Sequence, residues 1–259
     1  MEIKFNNVDY VYNLKTPFEN IALLKINLEF KMGMINGIIG SSGSGKTTLI
    51  ELIKGFKKPV KGKITRRIKR NIGIVFQNPE DQFFCNTVLE EIEYGLRKKG
   101  NINDILSMIN LDSSILSRNP LSLSSGEKRK VAIASVLALN PEVIIFDEPT
   151  IGLDSSSKKD LIKLIRSIKN DYKRTVIIVT RDADLIYEIA DYIYVMDKAL
   201  KVLEGTKSEV FNSPIFKKLD VKAPKIIEFE KLVLKRKNIK LRQSDNVNDL
   251  IKEVYRHVK

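Results

Sequence analysis

Residues 3–12 alternate apolar and polar side chains, and residues 24–30 do the same, the period-two pattern of strands in a half-exposed sheet. Residues 34–39 form a short apolar run ending in a Gly-Ser cluster, which reads as a buried strand feeding a loop. A helix over 49–56 follows, stopped near Gly55 and Pro59, and 72–76 is another buried strand. From 87 to 140 the spacing is helical: Ile92 and Leu96, then Ile105, Met108 and Ile109, with Pro120 before the next helix at 128–139. The β-branched runs 143–146 and 176–179 predict central parallel strands. Leu161, Leu164, Ile165 and Ile168 form one helix face between them; Leu185, Ile186 and Ile189 form another, and 192–196 begins a final strand. This β-α-β alternation predicts an open, mostly parallel α/β sheet covered by helices on both faces.

After residue 206 the pattern changes. Pro214 and Pro224 punctuate two short helical stretches, a basic segment spans 231–242, and a last helix carries Val247, Leu250, Ile251, Val254 and Tyr255 on one face. The expected division is a main domain over 1–206, with a helical subdomain at about 87–140, and a helical extension over 207–259. The extension's apolar face must pack on the main domain or on another subunit.

Composition narrows the class. At 43% hydrophobic and 30% charged residues the chain can bury a core, which excludes wholesale disorder. The longest apolar stretch, 131–139, is broken by Ser135 and is half of what a membrane span needs, and the first thirty residues lack an apolar signal core. Cys85 is alone, so neither an internal disulfide framework nor a cysteine metal site is available. These features predict a soluble, intracellular protein. Its net charge of +13 admits nucleic acid, an anionic membrane, an anionic ligand or simply solvated surface as explanations. The densest basic run, 57–70, holds eight Lys and Arg, lacks aromatics for base stacking, and alternates around a Gly like a hairpin.

The chemistry is concentrated in three segments. Gly40-Ser41-Ser42-Gly43-Ser44-Gly45-Lys46-Thr47, followed by Thr48, fits the phosphate-binding loop G-x-x-x-x-G-K-[ST] and lies between a predicted strand and helix. Its backbone N–H groups can turn onto phosphate oxygens, Lys46 supplies a charge to the β- and γ-phosphates, and the Thr47 hydroxyl suits Mg²⁺. An apolar strand ends in Asp147-Glu148, which places Asp147 to hold Mg²⁺ through water and Glu148 to act as general base on a water in line with the γ-phosphate. Leu123-Ser124-Ser125-Gly126-Glu127 precedes a helix and has the form of a capping box at an anion-binding N-terminus.

In this order, with Gln77 and Gly152-Leu153-Asp154, the motifs resemble those of an ABC (ATP-binding cassette) ATPase over about residues 2–205. The resemblance implies a P-loop NTPase fold with an antiparallel β subdomain and a helical subdomain. It implies a head-to-tail dimer, with each ATP between one subunit's phosphate loop and the other's signature of Ser124, Ser125, Gly126 and Glu127. In that picture Tyr12 stacks on adenine, with Tyr10 a near competitor. Gln77 senses Mg²⁺ and the attacking water, and Gly152, Leu153 and Asp154 cross the dimer interface. Thr16-Pro-Phe-Glu19 and Phe76-Gln-Asn-Pro-Glu-Asp-Gln82-Phe-Phe84, with the short helical extension, look like an energy-coupling factor importer ATPase of the second paralogous type.

That narrower resemblance implies ATP-driven uptake of a vitamin or transition-metal ion from the cytoplasmic face of the membrane. The partners it implies are a paralogous ATPase or a second copy, a transmembrane coupling protein that docks near 79–84, and a substrate-binding membrane protein. Nucleic acid is not among them, because nucleic-acid ABC proteins carry tandem cassettes or long coiled coils. The chain departs from the family pattern at Arg181, where a His is usual, and in the short segment 61–71, which implies a trimmed antiparallel subdomain. A guanidinium only donates and stays charged. The alternative to an active ATPase is therefore a slow, mainly structural subunit in which Arg181 draws Glu148 off its water.

Overall fold

The apolar runs expected as central strands lie side by side. The computed structural model describes residues 2–68, 71–96, 101–237, 239, 241, 242, 244 and 247–258. Lys69 and Arg70 of the basic run, and 97–100 of the helical region, lie outside these. β1 (Glu2–Tyr12) pairs antiparallel with β2 (Asn20–Glu29) and with β4 (Lys61–Arg67), making a three-stranded sheet. A six-stranded sheet runs β5-β6-β7-β3-β8-β9, built from β3 (Ile35–Gly40), β5 (Ile72–Val75), β6 (Val143–Asp147), β7 (Thr175–Thr180), β8 (Tyr192–Asp197) and β9 (Leu200–Gly205). Its strand pairs are parallel except β8 with β9.

Strand alternation sorts the core into two layers. On β6, Ile144 and Phe146 face one hydrophobic cluster and Val143 and Ile145 the other; Val176 and Ile178 divide from Ile177 and Val179 on β7 in the same way. The first layer packs under α4 (Ser125–Ala138), α5 (Ser155–Asn170) and α6 (Ala183–Ile189), with α2 (Val88–Glu93) and α3 (Ile102–Ile109) beyond. The second lies against α1 (Lys46–Lys54) and the small sheet. Both faces are therefore dry, which is why the strands are apolar throughout rather than alternating. Truncating the fully buried Phe146 to Ala costs about 3–5 kcal/mol.

The extension over α7 (Lys207–Phe211), α8 (Lys225–Lys237) and α9 (Val247–Val258) is anchored by apolar contacts. Val210, Phe211, Phe216 and Ile227 join the main core, the Phe211 ring packs against Tyr187 at a tilt of 58°, and the Tyr187 hydroxyl donates to the Ser244 carbonyl at 2.7 Å. On α9 only part of the expected apolar face is covered: Leu250 is buried, whereas Val247, Ile251 and Tyr255 are exposed.

Two expectations need correction. The basic run does not fold as a hairpin. Its 61–67 part is one strand on β1, and Gly62, at φ +83°, marks an irregularity against Asn6 and Asn7 where a Cβ would sit 2.2 Å from the Asn7 carbonyl. Nor is β8 the final strand. Lys198 and Ala199 turn the chain with φ of 43° and 66°, and β9 returns antiparallel. A two-residue turn of that hand is usually announced by Asn or Gly, and Lys-Ala gives no such signal.

Candidate active site

Four neighbouring strands deliver the site. β5 leads to Gln77, β6 to Asp147 and Glu148, β7 to Arg181, and β3 to the phosphate loop, all at the same edge because these strands run parallel. The loop is shaped by glycines. Gly45, at φ +98°, is the N-cap of α1, and a Cβ there would lie 2.3 Å from the Ala22 carbonyl. No side chain caps α1 and its first turn holds no acid, so its N–H groups and positive dipole end are free for an anion.

Lys46 is buried and folds back on the loop, donating to the carbonyls of Gly40 at 2.8 Å and Ser41 at 2.7 Å. Burial lowers its pKa, while the charges of Glu148 and Asp147 work the other way. Asp147, at the end of β6, is pushed up to about 6, chiefly by burial and then by the charge of Glu148, with Lys46 opposing. Glu148 holds a left-handed φ of 45°, uncommon for its residue type, and its N–H donates to the Val179 carbonyl at 2.7 Å. Its carboxylate accepts from the Thr180 hydroxyl at 2.7 Å and the Arg181 N–H at 3.3 Å, and Arg181 Nε stands 3.4 Å from its other oxygen.

These groups enclose a cavity of about 360 Å³ lined by Tyr12, Ser42, Gly43, Gly45, Lys46, Thr47, Thr48, Gln77, Asp147, Glu148 and Arg181. Of the expected nucleotide residues, Ser41 and Ser44 stand behind the lining, Ser44 being buried with its Oγ 3.4 Å from Lys46 Nζ. Tyr12 lines the cavity and Tyr10 does not. Sequence reasoning missed Asn20, Ile21 and Ala22, which also line it, and Thr180, which orients Glu148. No local signal marks the first three, because only the packing of β2 over the loop puts them there.

The signature segment lies elsewhere. Ser124 caps α4 in a reciprocal capping box with Glu127, and Ser124's hydrogen bonds hold that carboxyl below its ordinary range. Gly126, Glu127 and Leu153 border a larger cavity, about 540 Å³, between α3, α4 and α5. It carries none of the strand-end carboxylates, which line the smaller cavity. Asp154 caps α5 by accepting from the Ser157 N–H at 2.7 Å. Buried Arg129 joins these parts, donating through Nη2 to the carbonyls of Gln77 at 3.1 Å and Ile151 at 3.3 Å. Past Gln77, Phe84 is exposed and packs edge-on against Tyr94, whereas Phe83 is half-buried against the core, so only Phe84 of that pair is open to a partner.

A phosphate loop, strand-end carboxylates and a separate signature helix on this sheet define an ATP-binding cassette. Residues 23–151 match the ABC transporter family. The chain is 36% identical to the energy-coupling factor transporter ATP-binding protein EcfA2 of Enterococcus faecalis over 91% of this chain and 90% of that one. To the EcfA2 of Spiroplasma kunkelii it is 34% identical over 99% and 93%. Among solved structures, cbiO1 of Clostridium perfringens, part of the ABC transporter complex cbiONQ, aligns with a TM-score of 0.73 at 28% identity over 90% and 94% of the two chains. A dimeric cassette bound to ADP and Pi aligns at 0.69 and 27% identity over 79% and 98%. The chain belongs to the ATP-binding proteins of energy-coupling factor transporters, a family of ABC ATPases. Its function is ATP binding and hydrolysis in an importer of that type, and nothing among these relatives supports the mainly structural alternative.

Proposed function

We propose that this chain drives uptake of a vitamin or a transition-metal ion by closing on ATP against a second ATPase subunit, either a paralogue or another copy. The observation that carries the reading is the meeting of Lys46, Gln77, Asp147 and Glu148 in one cavity at the head of α1. The free N–H groups of the loop and the Lys46 ammonium receive the β- and γ-phosphates. Glu148, oriented by Thr180, accepts a proton from the attacking water as its oxygen bonds to the γ-phosphorus and the bridge to the β-phosphate breaks.

Thr47, Gln77 and Asp147 fit a Mg²⁺ ion. Each offers an oxygen donor and all three line the same cavity, which suits an ion held by one carboxylate together with substrate phosphates. When bound, Mg²⁺ neutralises charge on the phosphate oxygens. The burial that raises Asp147 is relieved by a cation beside it.

Ser124, Ser125, Gly126 and Glu127 serve the ATP held by the other subunit, and Gly152, Leu153 and Asp154 reach across to it. The extension over 207–259 contributes to that association, supported by the exposed apolar residues of α9. Among the described residues no helix is long and apolar enough to cross a membrane. The likeness to energy-coupling factor ATPases supports a subunit docked to a transmembrane coupling protein at the cytoplasmic face. A separate membrane protein selects the solute. Co-purification of a tagged copy from its own membranes tests this. The expected companions are a second ATPase chain and membrane subunits; recovery without membrane proteins would overturn the assignment.

A further inference from the structure

Lys57 opens the basic run, yet it does not behave as solvated surface. Its ammonium lies 2.8 Å from Glu51 Oε2 and donates to the Tyr12 hydroxyl at 2.9 Å. It also stands 4.2 Å from the centroid of the Tyr12 ring. The Tyr12 hydroxyl in turn lies 2.9 Å from Thr48 Oγ1 and donates to Glu51 at 3.1 Å. The Tyr10 ring meets Tyr12 edge-on at 5.0 Å and 78°.

Tyr12 belongs to the small antiparallel sheet, while Thr48 and Glu51 belong to α1, the helix that begins at the phosphate loop. The network therefore ties the ring to that helix. Tyr12 lines the nucleotide cavity and Lys57 does not, so the lysine backs the ring from outside. We propose that Lys57 is a positioning residue for the nucleotide base: with Glu51 and Thr48 it holds the Tyr12 ring ready to stack on adenine. The proposal rests on the reading of Tyr12 as the adenine-stacking residue.

The physical argument is preorganisation. A tyrosine free to rotate loses that freedom when a base stacks on it, which costs about 2–10-fold in affinity for one side chain. Here the hydroxyl is fixed by three polar groups and the ring by a cation and a second aromatic, so the loss is taken on folding. Partial burial works against the charge of Lys57, but its hydrogen bonds to Glu51 and Tyr12 outweigh it and hold the ammonium above the ordinary lysine range. It is thus charged throughout the range in which the protein works.

The test is equilibrium binding by the full chain of two probes, ATP and inorganic tripolyphosphate, each with Mg²⁺. Lys57→Met should weaken ATP about 3–10-fold and leave tripolyphosphate unchanged, which also reports an intact loop. Lys57→Arg should recover most of the loss. Tyr12→Leu should weaken ATP at least as much, and the double variant should bind no worse than Tyr12→Leu alone, since the lysine acts through the ring. If Tyr12→Leu weakens ATP selectively and Lys57→Met does not, the proposal fails while the adenine reading stands. Equal losses for both probes in Lys57→Met would show a general electrostatic effect and overturn it. If Tyr12→Leu leaves ATP binding unchanged, the reading of Tyr12 falls and the proposal with it.

Discussion

Arg181 holds both oxygens of Glu148: its Nε lies 3.4 Å from Oε1, and its backbone N–H donates to Oε2 at 3.3 Å. The side chain is more than half exposed and lines the cavity, so a γ-phosphate bound there would meet the guanidinium as well as the carboxylate. A histidine could exchange a proton there; the guanidinium contributes only charge and donors. Arg181→Ala should therefore slow phosphate release by about 10³-fold, the loss expected when an arginine opposite transition-state charge is removed. The assay is turnover in the reconstituted complex with the partner's own site silenced. A rate that rises in Arg181→His would show instead that the arginine restrains Glu148.

Glu148→Gln should leave ATP binding intact and slow hydrolysis by about 10²–10⁴-fold, the worth of a positioned general base. The amide keeps the hydrogen bond from Thr180 but cannot take the water's proton. Equilibrium titration and single-turnover hydrolysis, measured on the same preparation, separate the two effects.

Lys46→Ala should abolish ATP binding. The lysine is already turned into the loop against the carbonyls of Gly40 and Ser41, and no other cation lining the cavity belongs to the loop. A titration showing unchanged affinity would remove the phosphate-binding assignment.

The raised pKa of Asp147 predicts a pH-dependent stability in the nucleotide-free chain. A carboxyl near 6 when folded and near 3.9 when unfolded favours the folded state fully below about pH 4, and that contribution is lost as the pH rises through about 6. Asp147→Asn has no such loss. Thermal melting should show the variant more stable than the wild type at pH 8, by up to about 3 kcal/mol, with the gap closing below pH 4.

Coupling and packing should separate at neighbouring phenylalanines. Phe84→Ser removes an exposed ring and should weaken membrane attachment while ATP binding and melting temperature hold. Phe83→Ser removes a half-buried one and should lower the melting temperature. Membrane flotation and calorimetry distinguish them.

The phosphate loop, the strand-end Asp147 and Glu148 and the capping box at Ser124 were legible because each is a local device. Glycines at left-handed angles, a strand that stops at a carboxylate and a serine three residues before a glutamate are written in contiguous residues. The turn at Lys198 and Ala199 was not legible, since its residues carry no mark of the angles they adopt. The placement of Phe83 and Phe84 was not either, because adjacent residues in a loop take opposite environments only once the core beneath them exists. What tertiary structure alone decided is which distant groups meet. Tyr12 reaches Thr48 across 36 positions, Lys57 reaches Tyr12 across 45, and Arg181 reaches Glu148 across 33. The last pairing follows from β6 and β7 being neighbours in the sheet, an order set by how the two buried faces are filled and not by any one segment.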